Sequence, residues 1–243
     1  LASNKPDAAK ARLEAALTAT PKDPQLLRLA ARFYATTRDF VSAERVLRET
    51  IEVEPSNLQA YGMLGQLFLA QRKLDAAKAE FETLAAKQPK SVPVHTMIAM
   101  ILQGQGKNDE AQKRYEQVMA IDARAPVAAN NLAWMYAEKG QNLDQALNYA
   151  QAAKEQLPTV AEVDDTLGFV YFKKELFSQA VQAYERAVKA APQNPEYHLR
   201  LGQAYVKAGD WEKGRKSLQE ALKLKPDVAG ADEAKKLLAT IGS

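Results

Sequence analysis

Two histidines, His95 and His198, are the side chains of this sequence best suited to act as general acids, general bases or metal ligands near neutral pH. Each would need a partner in space, such as a carboxylate, a nucleophile or a second metal ligand. Whether they can do chemistry therefore depends on which elements carry them and on whether those elements bring them together.

Two further segments contain groups that could do chemistry. GQGKND at 104–109 combines glycines with a lysine, as phosphate-binding loops do, but it lacks the GxxxxGK[ST] spacing and follows a predicted helix rather than a strand. Asp164 and Asp165 form a carboxylate pair. Adjacent residues of a helix do not face each other, which argues against two acids sharing one proton. Stabilisation of a helix N-terminus is the simpler expectation for this pair.

Composition narrows the functional classes. The 243 residues are 47% hydrophobic and 26% charged, which indicates a folded chain. The sequence has no cysteine, which excludes disulfides and thiol catalysis. Because the net charge of +3 is spread along the chain, we expect no nucleic-acid partner. No apolar run is long enough to cross a bilayer, so we expect no membrane insertion.

The chain is built from repeats. Residues 167–192 align with residues 201–226 without a gap at an offset of 34 residues, and earlier segments recur at offsets of 34 or 35. Six contiguous repeats follow, of which only the fourth has 35 residues. They span 24–57, 58–91, 92–125, 126–160, 161–194 and 195–228. Together with both ends they predict one solenoid domain over 1–243.

Each repeat has the pattern of two helices joined by a short turn. A proline ends the second helix in most repeats. These prolines are Pro55, Pro89, Pro158, Pro192 and Pro226. Small residues recur in the first helix, where a larger side chain would separate the helix axes. They are Gly65, Ala99, Ala133, Gly168 and Gly202.

This pattern resembles the tetratricopeptide repeat family. The fifth repeat carries the family signature, and the other repeats carry it with local departures such as Ala123 in place of the proline and Asp164 in place of the leading aromatic. The signature residues are Leu167, Gly168, Tyr171, Ala180, Tyr184 and Pro192. The resemblance implies an all-α, right-handed superhelical solenoid of antiparallel helix hairpins. The style of the repeats favours a bacterial protein.

The repeats also give the candidate chemical groups a structural role. His95 and His198 occupy the position of the leading aromatic, three repeats apart, so we expect packing residues rather than ligands of one metal ion. GQGKND falls where every repeat turns between its helices. We therefore expect no catalytic residue, no metal site and no cofactor, and thus no enzyme.

The two ends differ from the repeats. Residues 1–23 match only the second helix of a repeat, which suggests a fragment of a longer array with Leu13, Ala16 and Leu17 lacking a partner helix. Residues 229–243 predict a short amphipathic helix that caps the apolar face of the last repeat.

The resemblance implies that the second, fifth, ninth, twelfth and thirteenth residues of each repeat line a concave groove. These positions are mostly polar in the first two repeats, through residues such as Gln59 and Gln66, and more apolar from the third repeat on. The candidate partner-binding residues are Arg28, Arg32, Met100, Asn130, Trp134, Asp165, Phe169, Phe172, Lys173 and Leu199. For Trp134 and Phe169 two interpretations stay open: an aromatic strip facing the groove, or ordinary packing between neighbouring first helices. Trp211, at a turn, is expected to be structural.

The expected function is a non-enzymatic scaffold that binds a peptide segment or a partner protein in this groove. Arg28 and Arg32 could contact an anion, but the Lys and Asn set with which some family members clamp a chain-terminal carboxylate is absent. The alternative is a structural module that self-associates through the apolar N-terminal end near Leu13 and Leu17.

Overall fold

The computed structural model describes residues 6–241, and within this range the chain forms fourteen α-helices and no strand. The helices are α1 (Pro6–Ala19), α2 (Pro24–Thr36), α3 (Phe40–Val53), α4 (Leu58–Ala70), α5 (Leu74–Lys87), α6 (Val92–Gly104), α7 (Asn108–Ile121), α8 (Pro126–Lys139), α9 (Leu143–Gln156), α10 (Ala161–Lys173), α11 (Phe177–Ala190), α12 (Pro195–Ala208), α13 (Trp211–Leu224) and α14 (Ala231–Ile241). The predicted all-α repeat fold is confirmed. The outermost residues of the predicted half repeat and capping helix, 1–5 and 242–243, lie outside the described residues.

The chain forms two compact units, residues 1–114 and 115–243, and the division falls within α7. In the first unit α2 packs against α3 and α4 against α5. In the second unit α8 packs against α9, α10 against α11 and α12 against α13. Each of these pairs consists of two helices joined by a short turn, as expected for helix hairpins.

Proline acts at both ends of the helices. Pro24 opens α2, where its missing N–H costs no hydrogen bond, and the Asp23 carboxylate accepts from the backbone N–H of Gln25 and Leu26 at 2.8 and 3.0 Å. Second helices end two residues before a proline, as α3 does at Val53 before Pro55. α7 also ends two residues before the corresponding position, although Ala123 stands there.

The extra residue of the fourth repeat is absorbed in the turn between α8 and α9. Most turns between paired helices contain one left-handed residue, such as Gly209. In the fourth repeat Gly140 and Asn142 both have positive φ, at 64° and 50°. Glycine and asparagine tolerate this conformation better than other residues, so the turn lengthens without disturbing either helix.

Small residues permit the close approach of paired helices, as the spacing predicts. A Cβ on Gly65 of α4 would lie 2.5 Å from the Phe81 ring of α5, and one on Gly168 of α10 would lie 2.7 Å from the Tyr184 ring of α11. Such distances lie well inside van der Waals contact, so each glycine makes room for an aromatic ring of its partner helix.

The N-terminal end differs from the expectation. Leu13 of α1 is buried, and Ala16 and Leu17 are half-buried. α1 packs against α2, and the ammonium of Lys10 in α1 binds the Asp39 carboxylate at 3.1 Å. Leu13 is therefore covered within the first unit, whereas Ala16 and Leu17 keep part of their surface exposed.

Candidate functional site

The second unit contains an aromatic stack formed by two neighbouring first helices. Trp134 of α8 and Phe169 of α10 lie with their ring centroids 4.4 Å apart and their planes at 27°. Both side chains are half-buried. Each ring is the ninth residue of its repeat, so the regular stacking of repeats brings them together. Trp134 is thus packed against its neighbour and partly accessible at the same time.

A charged pair lies beside the stack. The Arg200 guanidinium of α12 donates to Oδ2 of Asp165 in α10 and lies over the Trp134 ring, with its Cζ 4.9 Å from the ring centroid. Asp165 is only 6% exposed. Burial raises the pKa of Asp165 to about 6, although Arg200 acts in the opposite direction. Arg200 therefore connects the carboxylate with the aromatic stack.

Two polar oxygens of the second unit are buried without a hydrogen-bond partner among the described residues. They are Oδ1 of Asn130 and Oδ1 of Asp165, at the fifth position of neighbouring repeats. An unpaired buried acceptor costs free energy comparable to that of a lost hydrogen bond. Both atoms are closed off from solvent, so a ligand could donate to them only after the side chains around them move.

A pocket of about 470 Å³ lies between α10, α12 and α14, and we call it the α14 pocket. Its lining combines apolar groups with lysines. The residues are Phe169, Phe172, Lys173, Gln203, Val206, Lys207, Glu233, Lys236, Leu237 and Thr240. The predicted groove residues Phe169, Phe172 and Lys173 therefore share one wall of this pocket.

The expectation that Leu199 lies open in the groove is wrong. Its side chain is 5% exposed and packs in a cluster with Leu218, Ala221 and Ala234. α14 supplies Ala234 and half-buried apolar side chains such as Leu237 to this cluster. The C-terminal helix thus covers Leu199, and a partner cannot reach it without displacing α14.

The first unit holds the other predicted site residues. Arg28 pairs with Glu54 at 3.7 Å, Arg32 is exposed, and Met100 is 46% exposed. These three residues stay predictions as partner contacts.

An apolar cavity of the first unit lies beside the polar groove positions Gln59 and Gln66. A cavity of about 530 Å³, the Gly62 cavity, is lined almost entirely by apolar side chains. They include Leu47, Met63, Leu67, Phe81, Leu84, Val94 and Met97, with Gln59 and Gln66 also at the cavity. A Cβ added to Gly62 would meet only Leu84 Cδ2, at 4.0 Å, so the missing side chain contributes to the free volume.

The two histidines have the same structural partner. Nε2 of His95 lies 3.0 Å from the carbonyl oxygen of Pro89, and Nε2 of His198 lies 2.9 Å from that of Pro192. Tyr61 makes the same contact with the carbonyl oxygen of Pro55, at 3.4 Å. The fourth residue of these repeats thus donates to the carbonyl of the preceding proline, which explains both histidines without catalysis.

In the fifth repeat a different donor pairs with the carbonyl of the preceding proline. Asp164 replaces the aromatic donor, and the Lys154 ammonium donates to both the Pro158 carbonyl oxygen and Asp164 Oδ2, each at 2.6 Å. The Arg186 guanidinium also binds Asp164, at 2.7 Å. Asp164 and Asp165 therefore belong to separate ion pairs, and Asp164 lies in the first turn of α10, where a negative charge favours the helix N-terminus.

Other candidates for chemistry are resolved by their place in the fold. GQGKND lies at the turn between α6 and α7. Trp211 is 61% exposed, so the expectation of a structural packing role is wrong for most of its surface. Among residues 6–241, no three His, Asp or Glu side chains gather as a metal site would require, and no helix has the length and apolarity of a membrane span.

Sequence comparison identifies the family. One profile of the tetratricopeptide repeat matches residues 96–161 and 166–229, and a second matches residues 1–53 and 37–101. The chain belongs to the tetratricopeptide repeat family. Proteins of this family generally act as non-catalytic scaffolds that bind proteins or peptides. Among curated proteins, no sequence matches significantly.

Solved structures show the same fold at low sequence identity. The Cut9–Hcn1 hetero-tetramer of the APC/C contains a chain that superposes with a TM-score of 0.74 at 16% identity, covering 99% of this chain and 47% of that one. This chain thus spans about half the length of that protein. Pseudomonas aeruginosa pilF matches with a TM-score of 0.73 at 17% identity, over 88% of this chain and 96% of that one. MamA from Desulfovibrio magneticus RS-1 gives 0.60 at 17% identity, over 71% and 97%.

The sequence reasoning missed residues outside the regular groove positions. Arg200 is the sixth residue of its repeat, and its link to Asp165 crosses from one repeat to the next. Lys236 and Leu237 belong to the capping helix, which the repeat pattern does not describe. A glycine at the fifth position was the one available signal for the Gly62 cavity, because every other repeat carries a side chain there.

Proposed function

We propose that this chain is a non-catalytic protein-interaction module that binds a peptide segment or a partner surface through the second unit. The observation that carries the proposal is the half-buried stack of Trp134 and Phe169, whose rings keep part of their surface exposed. Aromatic side chains in partly formed pockets are the usual anchors of protein interfaces.

The aromatic stack supplies the apolar part of the interaction. Trp134 and Phe169 are already fixed by their mutual contact, by Arg200 over one ring and by Lys173 near the other, with its Nζ 5.3 Å from the Phe169 centroid. A partner side chain that covers the exposed parts of the rings would bury area without the cost of ordering them. An anchor of this kind contributes on the order of 2 kcal/mol or more.

The polar part comes from the two unpaired oxygens. Asn130 Oδ1 and Asp165 Oδ1 can accept hydrogen bonds but have no donor among the described residues. An extended segment offers backbone N–H groups, and a partner can also present amide or hydroxyl donors. Because both oxygens are buried, such a donor reaches them only if partner binding moves the side chains that cover them, and it would then pair acceptors that are otherwise unpaired.

The test compares three proteins as bait in extracts of the source organism. The first is the wild type, and the second is the Trp134→Ala, Phe169→Ala double variant. The third is Trp211→Ala, a matched control that removes the exposed tryptophan outside the stack. Circular dichroism and thermal melting must first establish that all three are folded. We expect partners to be retained by the wild type and the control and to be lost by the double variant.

Retention of partners by the double variant would contradict the proposal. If the double variant retains the same proteins as the wild type, the aromatic stack is packing and the proposed anchor is wrong.

Light scattering over a concentration series distinguishes self-association, because a protein that binds copies of itself gains mass as its concentration rises. An increase that the double variant lacks would identify a second copy of this chain as the partner.

A further inference from the structure

The α14 pocket has an apolar floor next to the aromatic stack. Phe169 and Phe172 of α10, Val206 of α12 and Leu237 of α14 all contribute to its lining. These four side chains are half-buried, so each has part of its surface in the pocket and part in the core. Phe172 is held by Phe177, with ring centroids 5.5 Å apart and planes at 68°. The side chains of the floor are therefore held in place by their core contacts, and their apolar surface stays open to the pocket.

The rim of this pocket carries three lysines. Lys173, Lys207 and Lys236 come from three different helices, and among the described residues the only carboxylate in the lining is that of Glu233. All three lysines are exposed. Lys173 makes its described contact with the face of the Phe169 ring rather than with an acid. Positive charge thus predominates at the mouth of an apolar pocket.

These lysines differ from most others of the second unit. Six lysines there pair with a carboxylate, either within a helix or between helices. They are Lys154, Lys174, Lys213, Lys216, Lys223 and Lys235. Within the described residues, none of the three lysines of the α14 pocket forms such an ion pair. Their charges are left available for a ligand.

We propose that the α14 pocket binds an acidic segment of a partner protein that inserts one apolar side chain against Phe169 and Phe172. This inference rests on the proposed function and names the chemistry of the partner. Side-chain carboxylates of Asp or Glu contact Lys173, Lys207 and Lys236, and the inserted side chain contacts Phe169 and Phe172. Complementary charge of this kind speeds association and rejects basic competitors.

The arrangement favours acidic side chains over a chain terminus. The three ammonium groups belong to separate helices that surround the pocket, so they can contact several carboxylates along a segment. A volume of about 470 Å³ accommodates one large side chain rather than a whole folded element. Because exposed charges are screened by salt, binding should weaken as ionic strength rises.

The experiment uses fluorescent, C-terminally amidated peptides that combine Glu and Asp with one Phe. A second set replaces the acids with Gln and Asn, and a third replaces Phe with Ala. Binding to the full chain is followed by fluorescence polarisation. We expect the first set to bind at least about tenfold more tightly than either other set, since it alone supplies both charge and an apolar anchor.

Two lysine variants locate the contact. The pocket variant carries Lys173→Gln, Lys207→Gln and Lys236→Gln. The control carries Lys189→Gln, Lys223→Gln and Lys225→Gln, three exposed lysines outside the pocket, and has the same net charge. We expect the pocket variant to lose about tenfold or more in affinity for the acidic peptides and to lose most of the salt dependence. Equal losses in the two variants would overturn the proposal.

The outcomes separate this inference from the proposed function. Partners that the Trp134→Ala, Phe169→Ala variant loses but the pocket variant retains would support the stack and refute the acidic segment. Retention by both variants would refute the proposed function as well. Vesicles containing phosphatidylserine test the other source of negative charge. If the pocket variant loses vesicle binding while the wild type shows no preference among the peptides, the ligand is a membrane surface and the acidic partner is excluded.

Discussion

The same groove positions hold different side chains in the two units, and their surroundings differ as well. In the second repeat, within the first unit, Gly62 and Gln66 occupy the fifth and ninth positions, and an apolar cavity of about 530 Å³ lies there. In the fifth repeat, within the second unit, these positions hold Asp165 and Phe169, and Phe169 stacks on Trp134. One helical framework can therefore present either an apolar cavity or an aromatic stack at these positions.

The difference bears on how each unit tolerates change. Side chains next to a cavity can shift into free volume, whereas side chains of a filled site must displace their neighbours. The two tryptophans, Trp134 and Trp211, both lie in the second unit. Their fluorescence therefore reports unfolding of the second unit, while far-ultraviolet circular dichroism reports both units.

The largest effect should come from Arg200→Ala. It leaves the buried Asp165 without its cation and uncovers the Trp134 ring, which together should cost about 3 kcal/mol of unfolding free energy at neutral pH; uptake of a proton by Asp165 keeps the loss at the lower end for a broken buried pair. Urea unfolding followed by tryptophan fluorescence measures this loss. Arg186→Ala is the control, because Asp164 keeps Lys154 after that change. Equal losses in the two variants would show that removing the cation of Asp165 costs no more unfolding free energy than removing one of the two cations of Asp164.

A pH dependence of stability follows from Asp165. Its pKa of about 6 lies above the ordinary value of 3.8, so the folded state binds the proton more tightly than the unfolded state does. Relative to Asp165→Asn, the wild type should gain up to about 2 to 3 kcal/mol as the pH falls from 7 through 6 towards 4. The gain is lost again as the pH rises through 6.

Urea unfolding of both proteins across this pH range tests the expectation. The nearby carboxylates Glu162 and Glu196 also raise the pKa of Asp165, and both are present in the two proteins compared. A difference that stays constant between pH 4 and pH 7 would contradict the raised pKa.

Glycine-to-alanine substitutions compare the packing of the two units directly. Gly168→Ala presses a methyl group against the Tyr184 ring, which is buried in the second unit, and should cost about 2 kcal/mol. Gly65→Ala presses against Phe81, which borders the Gly62 cavity and can shift into it. We therefore expect a smaller loss for Gly65→Ala, measured as the shift in the circular dichroism melting curve. A larger loss at Gly65 would mean that the cavity gives Phe81 no freedom.

The smallest effect should be a gain. Gly62→Ala adds a methyl group that meets only Leu84 Cδ2, at 4.0 Å, and improves helix propensity by about 0.5 to 1 kcal/mol. Chemical unfolding followed by circular dichroism measures the gain. A loss of stability in Gly62→Ala would show that the cavity does not accommodate the added methyl group.

The repeat period predicted the elements and part of the site. Because Trp134 and Phe169 share the ninth position of neighbouring repeats, the period alone brought them onto adjacent helices. It could not predict the link between Arg200 and Asp165, since the reach of a long side chain across repeats depends on packing angles that the spacing does not give. It also missed the burial of Leu199, because the docking of α14 is not periodic. An absent side chain such as that of Gly62 leaves only a weak signal in a sequence.

The proline carbonyls bear on how these repeats could be rearranged by engineering. At Pro55, Pro89 and Pro192 the carbonyl accepts from an aromatic residue of the following repeat, so a transplanted repeat would bring its own donor. At Pro158 the donor is Lys154 of the same repeat, and the junction instead relies on the charge of Asp164. The fourth and fifth repeats thus form a matched pair. Moving the fourth repeat without the fifth would leave Lys154 without its carboxylate, whereas Asp164 would keep Arg186 of its own repeat.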